Sequence, residues 1–337
     1  SIRLKIVLLS GLCLLGVIGL VVGINIYNTA QNDALVSDSS SRMLTASVEQ
    51  LLQAKAAEQA VQLQRTFGDS LVALTALADQ VKDLRNLGAK RSLEPGALRE
   101  DLNQSLKTAF ERNSKVLGIW LAFEPNGLEG KDSEFVDDKA RASNGKGRFS
   151  SYWSRAGGEG LNTILIEDDL NKTTPNLNGT PYNIWYTCPR DTRRTCLLDP
   201  YEDTVAGKTV LMTTIALPLL LDGKVIGVLG VDIALDTLQS ATDAAQKDLF
   251  NGAAHVEILS SSGLIAAYSG ESGKVGKNLI DILGAEGKEI VQLLASDTRM
   301  IREQDDTIRA VYPVKPVADA KSWGVVIKLS KAVLLAD

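Results

Sequence analysis

The segment Lys224-Val-Ile-Gly-Val-Leu-Gly-Val-Asp-Ile-Ala-Leu235 decides the fold class of this 337-residue chain. It is an apolar run, and Asp222-Gly223 separates it from a second apolar run, Thr209–Leu221. An Asp-Gly pair between two such runs is a strong short-range signal for a β-hairpin. Pro218 predicts an edge position or a bulge near the turn, because proline cannot donate to a strand ladder. The stretch therefore predicts two long antiparallel strands.

Shorter versions of this pattern lie elsewhere in the chain. The further predicted strands are Val116–Phe123, His255–Leu259, Leu264–Tyr268, Thr307–Val314 and Trp323–Leu329. The segment Ile226–Asp232 aligns with the last of these strands and places Leu329 at the position of Asp232. We predict an α+β fold with two related modules in tandem, each built on an antiparallel sheet.

Helical periodicity precedes the sheets. Apolar residues recur at steps of three and four at Leu63, Phe67, Leu71, Leu74, Leu77, Val81 and Leu84. This stripe predicts an amphipathic helix that packs on the chain's own sheets, and it leaves open a seam with a second copy of the chain. We expect the helix to end near Leu87-Gly88, with further helices at Ala97–Asn113 and Leu235–Leu249.

The first residues predict a membrane anchor. No charged side chain occurs from Ile6 to Ile24, and about 20 apolar residues suffice to cross a bilayer core. Arg3 and Lys5 precede this run and Asp33 follows it, so the positive-inside rule predicts a cytoplasmic N-terminus and an exported remainder. A cleaved signal peptide is the alternative.

These patterns divide the chain into four predicted regions. Residues 1–28 are a transmembrane helix with a short cytoplasmic N-terminus, and residues 29–90 are a long helix leaving the membrane. Residues 91–240 form a membrane-distal module that carries the ligand site, and residues 241–337 form a membrane-proximal module. The long helix predicts a homodimer.

Composition and motifs exclude several function classes. The formal net charge is -5, which disfavours nucleic acid as a partner and favours a cationic ligand. The sequence contains no nucleophile elbow, P-loop or zinc-protease motif, and its one histidine, His255, begins a predicted strand. We predict neither enzymatic activity nor a cofactor or metal. A surface carbohydrate-active enzyme that uses paired acids is the alternative from another class.

Cysteine usage agrees with export. Cys188 and Cys196 flank a short polar loop, a spacing that predicts one disulfide in an oxidising compartment. A zinc site at these two residues lacks further ligands.

The candidate binding residues combine acids with aromatic side chains. Asp232 shares one face of its strand with Ile226, Val228 and Gly230, and an acid on an apolar face needs a partner or a cation. A helix-capping role for Asp232 is the alternative. The central stretch of the distal module also holds Tyr152, Trp153, Tyr182, Trp185, Tyr186 and Tyr201. Such rings attract ammonium groups.

A second acid is needed if the ligand is a diamine. Asp168 and Asp203 are the candidates beside Asp232, although each of them alone resembles part of a solvated acidic loop. Trp185 and Tyr186 would point to opposite sides of the chain if this segment is extended.

These residues resemble the double-Cache sensor region of bacterial methyl-accepting chemotaxis proteins. The likeness rests on Trp185-Tyr186, Asp199-Pro200-Tyr201 and the hairpin that ends in Gly230-Val231-Asp232, and it covers nearly the whole chain. In amino-acid-binding members, an arginine stands where this sequence has Asn183. Tyr201, Asp203 and Asp232 match the remaining binding positions.

The resemblance implies a receptor in the bacterial inner membrane whose sensor region is periplasmic. Without the arginine that clamps a carboxylate, the chain resembles the subgroup that senses polyamines, such as putrescine and spermidine, or histamine. An amino-acid ligand held by Arg148 or Arg155 is the alternative, and histidine kinases and diguanylate cyclases carry similar sensors. Signalling partners would bind a cytoplasmic region that is absent from this sequence.

Overall fold

The computed structural model describes residues 2–156, 158, 160–205, 207–304 and 306–333. Its α-helices are α1 (Ile2–Arg91), α2 (Pro95–Arg112), α3 (Glu167–Asn171), α4 (Ile184–Thr192), α5 (Leu235–Lys247), α6 (Leu279–Leu283) and α7 (Ala285–Ala295). Short 3-10 turns lie at Asp132–Glu134, Lys139–Arg141, Phe250–Gly252, Ser272–Lys274 and Lys331–Val333. Two compact units comprise residues 1–52 and 53–337, and the sites described below lie in the second.

The first sheet has seven antiparallel strands. They are β1 (Gly118–Phe123), β2 (Ser150–Ser154), β3 (Leu161–Ile164), β4 (Cys196–Leu197), β5 (Tyr201–Val205), β6 (Lys208–Leu221) and β7 (Lys224–Ala234). The strand order is β3-β2-β1-β7-β6-β4, and β5 pairs with another part of β6. This sheet, with helices α2, α3 and α4, is called the first module.

The second sheet has five antiparallel strands in the order β10-β11-β12-β8-β9. They are β8 (His255–Leu259), β9 (Ile265–Tyr268), β10 (Met300–Gln304), β11 (Thr307–Val314) and β12 (Trp323–Ser330). With helices α6 and α7 it forms the second module, and α5 connects the two sheets. The α+β class and the antiparallel pairing predicted from the sequence are therefore correct.

The hairpin β6–β7 turns at Asp222-Gly223, as the sequence predicts, with Asp222 and Gly223 both at positive φ. Pro218 pairs with Val228 on β7, and the register of the hairpin shifts between Leu219 and Leu220. The predicted bulge therefore lies within two residues of the proline.

The apolar stripe of α1 packs within the chain. Leu63, Phe67, Leu74, Leu77 and Val81 are all buried. The ring of Phe67 meets that of Trp323 on β12, edge to face, with centroids 5.3 Å apart. Packing on the chain's own sheets is thus the correct interpretation of this stripe. Since five of its seven members are buried, a seam with a second copy would use mainly other residues.

Among the described residues, no helix combines the length and apolar character that crossing a membrane requires.

Candidate ligand-binding site

Asp232 lies in the middle of the first sheet. Its strand β7 runs between β1 and β6, and Asp232 stands opposite Gly118 on one side and Thr214 on the other. Only 3% of its surface is exposed. A carboxyl group in this position has lost its water and depends on neighbouring donors.

Two neutral donors hold the carboxyl of Asp232. The indole Nε1 of Trp120 donates to Oδ1 at 3.2 Å, and the hydroxyl of Thr214 donates to the same atom at 2.6 Å. The hydroxyl of Tyr201 lies 2.7 Å from that of Thr214. Because Thr214 gives its only proton to Asp232, Tyr201 must donate to Thr214. The result is a directed chain of hydrogen bonds that ends on the acid.

Burial raises the pKa of Asp232 to about 6, although the neighbouring polar groups of Thr214, Tyr152 and Trp120 work against the rise and Asp203 adds repulsion. The ionised form lacks a cation among its hydrogen-bond partners. A site where desolvation and a like charge both oppose ionisation gains most from a ligand that brings positive charge.

Two glycines let aromatic rings lie flat on this part of the sheet. A Cβ on Gly230 would stand 2.1 Å from Cζ2 of Trp120, and one on Gly118 would stand 2.4 Å from Cε2 of Tyr152. No side chain fits at either position without displacing a ring. The glycines therefore place Trp120 and Tyr152 beside Asp232.

Helix α4 covers this face of the sheet. The rings of Trp120 and Trp185 meet edge to face, with centroids 4.8 Å apart. The predicted disulfide between Cys188 and Cys196 is present and joins α4 to β4. Trp185 and Tyr186 lie on this helix rather than on an extended segment, so both are buried on the same covering element.

Two polar atoms in this cluster lack hydrogen bonds. The hydroxyl of Tyr152 and Nε1 of Trp185 are buried and make no hydrogen bond of normal geometry. The Tyr152 hydroxyl nevertheless lies near enough to Asp232 to lower the pKa of that carboxyl. Unpaired buried polar groups are costly, and both would be satisfied by a small polar ligand between helix and sheet.

A cleft of about 660 Å³ opens next to this cluster. It is lined by Asp169, Lys172, Thr174, Pro175, Asn176, Leu177, Tyr182, Glu202, Asp203, Thr204 and Thr209. Tyr182 belongs both to the cleft and to the buried aromatic cluster. The three acids of the lining outnumber its single lysine.

Tyr182 and Asp203 stand between the cleft and the buried cluster. The phenol of Tyr182 donates a short hydrogen bond to Asp203. Burial, and then repulsion by Asp203, raises the pKa of Asp169 on α3. The negative charge of Asp203 therefore opposes ionisation of Asp169, which again favours a cation in the cleft.

One cation already reaches the cleft. The ammonium of Lys172 lies 4.1 Å from the centroid of the Tyr182 ring. An aromatic ring of this site thus already contacts an amine of the chain itself. The same lysine brings a positive charge to the cleft that can pair with a carboxylate.

The arginines considered as carboxylate clamps are engaged elsewhere. Arg148 donates to the carbonyl of Phe123, to Glu167 and to the hydroxyl of Tyr186. Arg155 donates to backbone carbonyls, Phe110 O among them at 2.8 Å. Neither guanidinium lines the cleft.

Asn183 is a structural residue. It is buried at the start of α4, where its side-chain amide donates to the carbonyl of Leu170 at 2.9 Å. This bond ties α3 to α4 and leaves the amide outside the cleft lining.

The structure brings together most of the residues singled out from the sequence. Those in the cleft or the adjoining cluster are Tyr152, Tyr182, Trp185, Tyr186, Tyr201, Asp203 and Asp232. The hydroxyl of Tyr186 is taken by Arg148 and Glu124, so only its ring faces the cluster.

Trp153 and Asp168 lie outside this group. Trp153 is on the opposite face of β2, where its Nε1 donates to Asn103 at 2.9 Å and its ring packs near Phe110. Since adjacent residues of a strand face opposite ways, Tyr152 and Trp153 cannot both line one pocket. Asp168 is exposed on α3, whereas its neighbour Asp169 lines the cleft.

Sequence reasoning overlooked Trp120 and Thr214. An aromatic residue in a buried strand resembles ordinary core, and a threonine in β6 carries no signal of its own. Strand pairing could have identified both residues, since Trp120 lies opposite Gly230 and Thr214 lies opposite Asp232.

Comparisons with known proteins agree with this architecture. Residues 102–240 match the family described as "Methyl-accepting chemotaxis protein-like, first PDC sensor domain". The methyl-accepting chemotaxis protein TlpQ of Pseudomonas aeruginosa is 42% identical over 336 residues, which are 99% of this chain and 47% of that protein. McpA of Pseudomonas putida is 35% identical over 149 residues, 44% of this chain and 22% of that protein. The chain thus spans less than half the length of these curated relatives.

Solved structures share the fold. The periplasmic sensory domain of the Campylobacter jejuni chemoreceptor Tlp1 has a TM-score of 0.65 at 17% identity, with 87% of this chain and 98% of that chain covered. A structure described as methyl-accepting chemotaxis protein X has a TM-score of 0.62 at 24% identity, with coverage of 84% and 99%. Residues 102–240 thus resemble a first PDC sensor domain, and the fold of the two modules is shared with solved chemoreceptor sensor domains.

Proposed function

We propose that the first module binds a small cationic amine, of the polyamine or histamine class, between Asp232 and the acidic cleft. The observation that carries this proposal is the environment of Asp232. A buried carboxyl held by neutral donors lies among Trp120, Tyr152 and Trp185. An ammonium would supply the missing charge and the rings would contact its methylene groups.

The acids of the cleft would bind the second amino group of a diamine and so fix its orientation. Asp203 and Asp169 lie on the cleft side of Tyr182, and Asp232 lies on the sheet side. A ligand with two amino groups can place one at each end. Asp232 does not line the cleft, so entry of the inner group requires the Tyr182–Asp203 hydrogen bond to open. This movement would distinguish the bound from the free state.

An amino-acid ligand is the second candidate, and Lys172 is the observation in its favour. Its ammonium lies in the cleft, where it could meet a carboxylate. Solved chemoreceptor domains of this fold hold GABA in PctC, L-serine in CtaA and L-Gln in PctB. Against this candidate, Arg148 and Arg155 are occupied by other groups.

The wider function proposed for the protein is chemoreception at a membrane. It is supported by the likeness to TlpQ and by the periplasmic origin of the Tlp1 domain. In this proposal residues 1–28 anchor the chain in the inner membrane and the sensor region is periplasmic. The chain acts as a homodimer and passes the signal to a cytoplasmic region outside this sequence. A histidine kinase or diguanylate cyclase output is the alternative to chemotaxis, and no catalysis is assigned to this region.

Calorimetric titration of the full chain with putrescine, spermidine and histamine tests the ligand class. We expect saturable binding of at least one amine, and a loss on the order of 100-fold in affinity for Asp232→Asn, because the variant removes the charge that would pair with the buried ammonium. Asp236→Asn, near the same strand end but on α5, is the matched control and should bind normally. Equal affinity in the Asp232 variant would remove this residue from the site.

A further inference from the structure

The second module contains a counterpart of the Asp232 site. Strands β8, β12 and β11 pair with one another as β1, β7 and β6 do in the first sheet. Tyr152 on β2 stands opposite Trp120, and Tyr268 on β9 stands opposite Glu257. We take these two tyrosines as equivalent. The strand pairing then shows which residue of the second sheet corresponds to each residue of the Asp232 site.

Register assigns Lys328 to the position of Asp232. Asp232 lies opposite Gly118 and Thr214, whereas Lys328 lies opposite His255 and Arg309. Leu329, which the sequence alignment places there, is one residue further and faces the other side of the sheet. A shift of one residue exchanges the two faces of a strand, so that alignment is wrong at this position.

The counterpart site carries positive charge on the two strands that correspond to those of Asp232 and Thr214 in the first sheet. A lysine replaces the acid Asp232, and Arg309 replaces Thr214. The acid of the second module is Glu257, which is fully buried and forms an ion pair with Lys328. Thus the position that carries negative charge in the first sheet carries positive charge in the second.

Arg309 lines a cavity of about 120 Å³ together with Glu286, Met300, Arg302, Gln304 and Thr307. Its Nε is buried and makes no hydrogen bond. Burial also lowers the pKa of this guanidinium. Gln304 and Thr307 can each donate or accept a hydrogen bond, and Glu286 is the only acid in the lining. The buried Nε of Arg309 is therefore a donor without an acceptor.

The acids near the cavity come from the covering helix. Glu286 on α7 pairs with Arg309, and Glu289 on the same helix accepts from Arg302 at 2.7 Å. Both arginines belong to the sheet. Glu286 thus occupies one side of the Arg309 fork, as a bound carboxylate would, while Nε stays free.

We propose that the second module binds a small carboxylate anion at Arg309, in competition with Glu286 of α7. The cavity of about 120 Å³ has room for a small anion such as acetate, propionate or lactate. This inference does not rest on amine sensing by the first module. It gives the two sheets ligands of opposite charge.

Calorimetric titration of the full chain with sodium acetate, sodium propionate and sodium L-lactate tests the proposal, with sodium chloride added to keep the ionic strength constant. We expect saturable binding of at least one of the three. The affinity should fall at least ten-fold in Arg309→Gln and rise several-fold in Glu286→Gln, because the second variant removes the competing carboxylate. Arg141→Gln, which alters an exposed arginine paired with Asp138, is the matched control and should bind normally.

Two further measurements cover the case of a variant that does not fold and separate this proposal from the one for the first module. If Arg309→Gln fails to fold, as judged by circular dichroism, the rise in affinity of Glu286→Gln replaces it as the test. Asp232→Asn should leave carboxylate binding unchanged, so failure of the first module's proposal is distinguishable from failure of this one. The proposal is overturned if neither the unaltered chain nor Glu286→Gln binds any of the three anions. It is equally overturned if Glu286→Gln does not bind more tightly.

Discussion

The first and second modules use one strand arrangement to surround different charges. In the first, Asp232 accepts from Trp120 and Thr214 beneath aromatic rings. In the second, the matching strand position holds Lys328, next to Arg309 and Glu257. Strand pairing fixes where these side chains stand, whereas their chemistry is set residue by residue. If both proposed sites bind their ligands, the shared fold determines the place of a ligand and not its charge.

The covering helices also differ. A disulfide fastens α4 to the first sheet, whereas the ion pairs of Glu286 and Glu289 hold α7 to the second. A covalent link restricts the unfolded chain as well as the folded one. We therefore expect the cover of the first site to be the more resistant of the two to denaturant.

The largest predicted effect is on stability. Replacing both Cys188 and Cys196 by serine should lower the free energy of unfolding by about 2.5 kcal/mol, because the disulfide restricts the unfolded chain even though the loop it closes is short. Urea unfolding followed by tryptophan fluorescence measures this value. Reducing agent should have the same effect on the unaltered chain and none on the double variant. A difference below about 0.5 kcal/mol between the two chains would show that the link does not hold α4 in place.

The second-largest effect is expected for Gly230→Ala, which alters the first site. The added Cβ would meet the Trp120 ring at 2.1 Å, so the ring must move at a cost of about 2 kcal/mol. Amine binding should weaken along with stability, since Trp120 Nε1 would leave Asp232. Gly68→Ala on α1 is the control, because a Cβ there meets nothing within 4 Å, and alanine should stabilise this helix slightly. A stable Gly230→Ala chain with normal amine affinity would contradict the proposed role of Trp120.

The pH dependence of amine binding is the third effect. Because the pKa of Asp232 is raised to about 6, its carboxyl is mostly ionised at pH 7 and mostly protonated at pH 5. Putrescine affinity should fall roughly ten-fold over this interval. Asp168→Asn should keep the same profile, whereas a flat profile in the unaltered chain would exclude Asp232 as the ammonium partner.

Stability without ligand should change in the opposite direction. A carboxyl whose folded pKa lies above its unfolded value of 3.8 stabilises the fold while it is protonated. This contribution is complete below pH 3.8 and is lost as the pH rises through about 6. Asp232→Asn should remove this part of the pH dependence, which urea unfolding at a series of pH values would show.

The smallest predicted effect concerns two residues outside the site. Trp153→Phe and Asp168→Asn should each change amine affinity by less than about two-fold, because Trp153 faces α2 and Asp168 faces solvent. The Trp153 variant loses its bond to Asn103 and should be slightly less stable. A large loss of affinity in either variant would return that residue to the site.

Part of the fold and of the candidate site could be predicted from the sequence alone. The Asp-Gly turn and the apolar runs predict the central hairpin, and alternation along β7 places Asp232 on the face that carries the candidate site. Both signals are local, with periods fixed by backbone geometry.

What the sequence missed depends on contacts between distant strands. Trp120 joins the site only because Gly230, far along the chain, leaves room for its ring. Trp185 and Tyr186 lie on a short helix, although the segment has no clear helical period. Helix and strand were therefore not distinguishable there, whereas alternation alone could have separated Tyr152 from Trp153.

The central claim is that the first module recognises a cation that has no carboxylate. Calorimetric titration of the full chain with putrescine and with 4-aminobutanoate tests it most directly, since the two ligands have similar length and differ mainly in one terminal group. The account predicts saturable binding of putrescine and affinity at least ten-fold weaker for 4-aminobutanoate, whose carboxylate would meet an acid at either end of the site. Binding of 4-aminobutanoate that equals or exceeds binding of putrescine would contradict it and would identify Lys172 as a carboxylate partner.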